Sequence, residues 1–186
     1  MYNGESTLDF YFFCIRRHPL LIRFVFVVLY NAVKYKMCLI SEEQLKFLAE
    51  KYICAFLKGC PDIKILAEKF WDKNKAKIKN NVYSKLKDND IVISASFGFL
   101  LRPLFARLDK NINLLCSEVD LDEYKVDRLC FRMNKILYFN ENYPSCEIQD
   151  FYTDSLNDIE FMRLAKNKAY LVNKQNISEY KFDRKE

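Results

Sequence analysis

Apolar residues recur at helical spacing through the first part of the chain and then give way to short apolar runs separated by polar turns. Leu8, Phe12 and Phe13, and then the stretch from Leu20 to Val33, fit the helical period. Ser41-Glu42-Glu43-Gln44 reads as an N-cap followed by an acidic first turn. The helix it opens carries Leu45, Phe47, Leu48, Tyr52, Ile53 and Phe56 and is predicted to stop near Gly59. Pro61-Asp62 opens a further helix with Ile65, Leu66, Phe70 and Trp71 on it. From about Val82 strands and helices alternate, which predicts a parallel α/β layer. Strands are predicted at Ile91–Ser94, near Asn113–Cys116, around Ile148–Thr153 and near Ala169–Val172. The chain therefore divides into a helical region, 1–79, and an α/β region, 80–186.

The Leu20–Val33 stretch is the most apolar part of the helical region. Its uninterrupted core, Phe24 to Tyr30, is flanked by Arg23, Asn31 and Lys34. A membrane span needs about twenty apolar residues, so this one is too short to cross. It also lacks a signal-peptide h-region and a small-residue cleavage site. A buried helix is the expected outcome, with an interfacial helix as the alternative.

Composition adds little against a globular domain. Hydrophobic residues make up 51% and charged residues 30% of 186, and three Gly with four Pro leave little room for linkers. The net charge of +5 comes from cations interspersed with acids, apart from Lys181, Arg184 and Lys185. That pattern suits a solvated surface rather than a nucleic-acid interface. Seven cysteines (Cys14, Cys38, Cys54, Cys60, Cys116, Cys130 and Cys146) are scattered, odd in number and without a C-x-x-C pair. They read as reduced, mostly buried thiols, which points to the cytoplasm rather than to a zinc site or a disulfide framework. His18, before Pro19 and next to Arg16 and Arg17, is the one histidine of the chain and is read as having no metal-ligand partner in sequence. A surface role is expected for it, and the three cations could attract an anionic phosphate ester.

The densest chemistry lies in Phe151-Tyr152-Thr153-Asp154-Ser155-Leu156-Asn157-Asp158. A short apolar run ends in two aspartates four positions apart, ahead of a helix-like pattern in Ile159, Phe161, Met162 and Leu164. A strand end turning into a helix brings both carboxylates to one side, as a hard cation such as Mg²⁺ requires. The alternative is a helix-capping turn, since Asp, Ser and Asn are all favoured caps. Asp90-Ile91-Val92-Ile93-Ser94-Ala95-Ser96 is a second strand ending in small hydroxyl residues before a helical stretch. There the Ser94 hydroxyl and the neighbouring backbone at Ala95 can hold phosphate. Lys135 follows, about twenty positions before the aspartate pair.

Ser, then Lys, then Asp…Asp is the motif order of the haloacid dehalogenase superfamily of phosphohydrolases. Whole phrases resemble its phosphoserine-phosphatase-like branch, subfamily IB. They are GESTLDF from Gly4 to Phe10, Arg17-His18-Pro19, IVISAS from Ile91, FLLRP from Phe99 and FYTDSLNDIEFMRLA from Phe151. The resemblance covers about Tyr2 to about Val172. It implies a Rossmannoid parallel sheet with a helical C1 cap over residues 1–79, and a magnesium-dependent phosphomonoesterase acting on a small phosphorylated metabolite. It further implies Ser94 as the phosphate-binding serine and Lys135 as the lysine steadying the phosphoryl oxygens. Asp154 and Asp158 become the Mg²⁺-positioning acids, and Glu5 a contact for a substrate ammonium. Around Lys135 the chain departs from the family, with Arg132, Met133 and Asn134 where Gly and Glu are usual.

A larger departure concerns the nucleophile. The family starts catalysis from a DxDx(T/V) motif ending the first, central strand, just ahead of the segment matched by Tyr2-Asn3-Gly4-Glu5. No aspartate precedes Asp9, and Asp88-Asn89-Asp90 leads into the Ile91 strand, where it cannot serve. The resemblance thus implies a phosphatase that is inactive over these residues, since without the nucleophile no aspartyl-phosphate forms. A lost or unread N-terminal segment is the favoured expectation, beside a trimmed polypeptide or a degenerate protein. The second functional expectation is a catalytically silent fold that binds a phosphorylated ligand or a protein. A missing central strand would also leave open strand edges and favour self-association through the vacant position.

Overall fold

The computed structural model of the chain describes residues 2–130, 133–173 and 176–182. The expectation placed on Arg132 and the basic residues Arg184 and Lys185 fall outside these. Helices come first: α1 (Ser6–Ile15), a 3-10 turn (Pro19–Ile22), α2 (Arg23–Lys36), α3 (Glu42–Lys58), α4 (Ile63–Lys73) and the single turn α5 (Asn80–Tyr83). Strands and helices then alternate through β1 (Ile91–Phe97), α6 (Gly98–Phe105), β2 (Asn113–Asp120), β3 (Lys125–Arg128) and α7 (Met133–Asn142). The chain continues through β4 (Asp150–Thr153), α8 (Ile159–Met162), β5 (Lys168–Asn173) and β6 (Asn176–Glu179).

Local chemistry accounts for the ends of α3. Ser41 Oγ accepts the Gln44 N–H at 3.2 Å, and Gln44 Oε1 accepts the Ser41 N–H at 3.0 Å. This reciprocal pair satisfies two donors that the first turn leaves without helical partners. The helix stops at Gly59 as predicted, but with φ at −80°, not in the left-handed region. Glycine is required there by crowding, because a Cβ would come within 2.7 Å of Leu21 Cδ2.

The larger hydrophobic core joins α1, α3, α4 and α6 to β2. It contains Phe10, Cys14, Leu57, Leu66, Phe70, Trp71, Leu100, Leu104 and Cys116. Trp71 is fully buried and donates its indole N–H to the Leu100 carbonyl at 2.6 Å, which ties α4 to α6. Tyr2 meets Trp71 edge-on, with ring centroids 5.6 Å apart. Residues on both sides of position 79 thus pack into one core.

Helix α2 departs from the buried helix expected of it. Leu21 and Phe24 are buried, but Phe26, Leu29, Tyr30 and Val33 are each more than half exposed. Only one side of the helix finds neighbours, so a continuous apolar run overstates its burial. Among the described residues, no helix is long and apolar enough to cross a membrane.

The expected single parallel sheet is instead two small mixed sheets. In the first, β1 pairs in parallel with β2 from Ile91↔Asn113 to Ile93↔Leu115, then shifts register before Phe97↔Ser117, and β3 adds antiparallel to β2. In the second, β4 and β5 pair in parallel from Asp150↔Lys168 to Thr153↔Leu171, and β6 adds antiparallel. Among the described residues, β1 and β4 are both edge strands. The two sheets nonetheless share a core, in which Ile91, Ile93 and Leu115 of the first meet Phe151 of the second through Phe139 on α7 and Phe161 on α8.

Candidate functional site

Two strand ends carry the polar residues singled out above. At the end of β4, Thr153 is buried and Asp154 and Asp158 follow it in the turn toward α8. Asp158 uses both oxygens. Oδ1 receives the Lys135 ammonium at 2.6 Å, and Oδ2 receives the Thr153 hydroxyl at 2.9 Å. Both ionic partners are only 15% exposed, so their attraction is little screened by water. The Ser155 N–H donates back to Thr153 Oγ1 at 3.1 Å, and Ser155 Oγ accepts the Asn157 N–H at 3.2 Å. The turn is therefore built by its own side chains, the capping arrangement expected as the alternative to a cation site. Capping and cation binding do not exclude one another here, because Asp154 takes no part in the cap.

Asp154 faces a different cation. Lys79, whose side chain is 9% exposed, places its ammonium 3.0 Å from Asp154 Oδ2. Burial, the largest single influence, pushes this carboxyl up, but the Lys79 hydrogen bond and charge, with smaller favourable contributions, together hold the group below its ordinary value. Lys79 is brought there by the start of the chain. Tyr2 bridges antiparallel to Ile78, and the Asn3 N–H donates to the Lys77 carbonyl at 2.8 Å.

The strand expected to end at Ser94 runs on to Phe97; Ser94 lies in the middle of β1, partly buried, and its Oγ accepts the Ser96 N–H at 3.2 Å. Ser96 Oγ lies 3.2 Å from Ser6 Oγ and 2.9 Å from Thr7 Oγ1, both in the first turn of α1. Ala95 is exposed, and its carbonyl accepts the hydroxyl of buried Ser117 at 2.8 Å. Glu5 precedes that first turn, fully on the surface, and its side chain makes no cap for α1. The β1 end and the N-terminal end of α1 thus form one hydroxyl-lined surface beside Glu5.

Ser117 and Cys130 connect this surface to Lys135. Ser117 Oγ also accepts the Cys130 N–H at 2.9 Å, just before α7. The Cys130 thiol, pushed up by burial, lies within electrostatic range of Lys135 and Asp158 and beside the Ser94 backbone. Lys135 and Asp158 therefore act electrostatically on one buried thiol that also meets the Ser94 backbone, while Asp154 stands at the β4 end with Lys79. The sequence offered no motif for Lys79, Thr153 or Cys130. Thr153 could have been found as the last strand residue before Asp154, but Lys79 depends on a pairing made by the chain terminus.

Carboxylate oxygens are the ligands Mg²⁺ takes, but each aspartate is here paired with its own lysine, Asp158 with Lys135 and Asp154 with Lys79. The Lys79 ammonium already lies against Asp154, in a position a divalent ion would compete for. The positive charges of Lys135 and Lys79 and the hydroxyls around Ser94 are suited to phosphate oxygens.

His18 stands elsewhere, with its side chain 29% exposed. It is partly buried, with Nε2 2.6 Å from Asp62 Oδ1.

Fold and site together define a mixed α/β chain with a lysine- and aspartate-bearing strand end. No family model, no curated protein and no solved structure matches it.

Proposed function

We propose that the chain carries the phosphate- and magnesium-holding part of a site related to haloacid-dehalogenase phosphomonoesterases, acting on a small phosphorylated metabolite in the cytoplasm. The observation that supports the reading most is the Lys135–Asp158 pair, 2.6 Å long and mostly buried, at the end of a parallel strand. It joins the two motifs that the resemblance assigns to phosphate and to metal, although 23 residues separate them. The edge positions of β1 and β4 agree with a further strand between them, which would turn two half-sheets into one.

In this reading Ser94 and the Ala95 backbone receive phosphoryl oxygens, and Lys135 holds both Asp158 and the phosphoryl group in place. Asp154 and Asp158 would hold Mg²⁺, which when bound supplies charge neutralisation for the phosphate. Glu5, on the rim, is placed for a cationic part of the metabolite. Removing a nucleophile from a covalent mechanism costs on the order of 10⁶ in turnover. Because these residues contain no Asp-x-Asp-x-Thr or Asp-x-Asp-x-Val run at the required place, binding without turnover is the second reading.

Hydrolysis of p-nitrophenyl phosphate separates the two. The 186-residue chain with Mg²⁺ should run at background. Fusing a strand that ends in Asp-x-Asp-x-Thr ahead of Tyr2 should bring magnesium-dependent turnover that Asp154→Asn abolishes. Robust turnover by the unextended chain, lost in Asp154→Asn, would show that a nucleophile is present after all. An extended chain that folds but stays silent favours the binding-only reading.

A further inference from the structure

A second cluster of metal-binding side chains lies in the helical region, away from the β1 and β4 ends. His18 Nε2, Cys60 Sγ and an Asp62 carboxylate oxygen all lie within 4.8 Å of one another. The buried Cys14 thiol lies next to that of Cys60, outside the group whose ligand atoms are all within 4.8 Å of one another, and is a fourth candidate ligand. Cys14 and Cys60 are completely buried, whereas His18 and Asp62 are 29% and 39% exposed at their side chains. The cluster thus has a sulfur floor and an N/O rim that opens to solvent, which gives an ion a way in.

Backbone bonds fix both arms. The His18 N–H donates to the Cys14 carbonyl at 2.9 Å, one helical turn that sets the two side chains on the same side. On the other arm, the Cys60 N–H donates to the Leu57 carbonyl at 3.0 Å, and the Asp62 carbonyl accepts the Leu66 N–H at 2.9 Å. Gly59 lets this turn approach Leu21, since any side chain there would collide with it. The α1 end and the α3–α4 turn are therefore held together before any ligand binds.

We propose that Cys14, His18, Cys60 and Asp62 form a binding site for a borderline-soft divalent cation, Zn²⁺ by preference. Thiolate, imidazole and carboxylate are the ligand types zinc takes, whereas Mg²⁺ prefers oxygen alone. Tetrahedral zinc with these ligands has neighbouring donor atoms about 3.3–3.8 Å apart, from bonds of about 2.0–2.3 Å. The sulfur–oxygen separation between Cys60 and Asp62, 3.9 Å, is already near that range. The His18–Asp62 contact has to open by less than about 1 Å to admit an ion of that bond length. In the metal-free chain the imidazole N–H donates to Asp62. The ion takes the place of that proton, which moves to the other ring nitrogen. Each thiol releases one proton to solvent and binds as thiolate.

The test uses the whole chain, stripped with a chelator, loaded with Zn²⁺ and desalted. One equivalent of zinc should be retained, and Co²⁺ in its place should give a tetrahedral spectrum with a thiolate-to-cobalt charge-transfer band. His18→Gln, a change at a partly exposed side chain, should keep the helical circular dichroism and lower zinc affinity by at least about 100-fold. Asp154→Ala with Asp158→Ala should leave zinc retention unchanged, so failure here and failure of the phosphate site are separate outcomes. Zinc should also protect Cys14 and Cys60 from alkylation, mapped by peptide mass spectrometry. No retained zinc, undiminished binding by His18→Gln, a cobalt spectrum without the sulfur band, or alkylation that ignores zinc would each overturn the proposal.

Discussion

Asp158 has both oxygens engaged, one by a lysine ammonium and one by a threonine hydroxyl. Lys135→Met removes the charge and leaves a mostly buried carboxylate with one neutral partner. A loss on the order of 1–3 kcal/mol in urea unfolding is expected, with Asp158→Asn costing less in the same protein. An unchanged midpoint for Lys135→Met would mean that water already compensates the carboxylate. Three other aspartates set the acid limb. Asp9 is held below its ordinary value of 3.8 by hydrogen bonds from Lys77 and Tyr2. Asp154 and Asp62 are also lowered: burial, the largest single influence on each, raises them, and the summed hydrogen bonds and charges around them, Lys79 and His18 foremost, hold them down. A carboxyl depressed in the folded state contributes stability above its unfolded value, and loses it as pH falls through the folded one. The urea midpoint should therefore hold down to about pH 5 and fall progressively below it, less steeply in Asp9→Asn. Equal slopes for the two proteins would remove Asp9 from that explanation. Ser94, Asp154 and Asp158 could be singled out in sequence because each sits in a short strand–turn phrase, whereas Lys135, on α7, was picked out by its place in the motif order. Cys14, His18, Cys60 and Asp62 were not, because two distant pairs meet only when α1 packs beside the α3–α4 turn.

At the scale of elements, the helices of the first 79 residues and four of the strands were readable from period and caps. Ser41 with Gln44 is the clearest case, since both halves of the reciprocal pair stand in the sequence three residues apart. The antiparallel strands β3 and β6 were missed. Lys125-Val126-Asp127-Arg128 and Asn176-Ile177-Ser178-Glu179 each hold a single apolar residue, too little for a period-two pattern to show. Helix α2 erred the other way, because hydropathy along the chain does not say which sides of a helix find neighbours. A buried tie between elements is the Trp71 indole on the Leu100 carbonyl, between α4 and α6. Trp71→Phe removes that hydrogen bond in a fully buried place and opens a small cavity. It should cost about 2–4 kcal/mol in thermal or urea unfolding. A cost under about 0.5 kcal/mol, the size of a surface change, would show that the two helices do not depend on this contact.

The whole molecule packs two small mixed sheets against a shared core, with β1 and β4 at sheet edges among the described residues and Lys135 and Lys79 paired with the aspartates that follow β4. An alternation of strands and helices made the α/β layer legible, but nothing in a linear pattern tells whether the strands close into one sheet or two. That depends on which edges meet a partner. What the two strand ends do together is measured most directly by titration calorimetry of the whole chain with phosphate in the presence and absence of Mg²⁺. A magnesium-dependent heat of phosphate binding is predicted, abolished in Asp158→Ala, weakened in Ser94→Ala and unchanged in His18→Gln. Identical traces for the native chain and Asp158→Ala would contradict a shared cation and phosphate site at these strand ends.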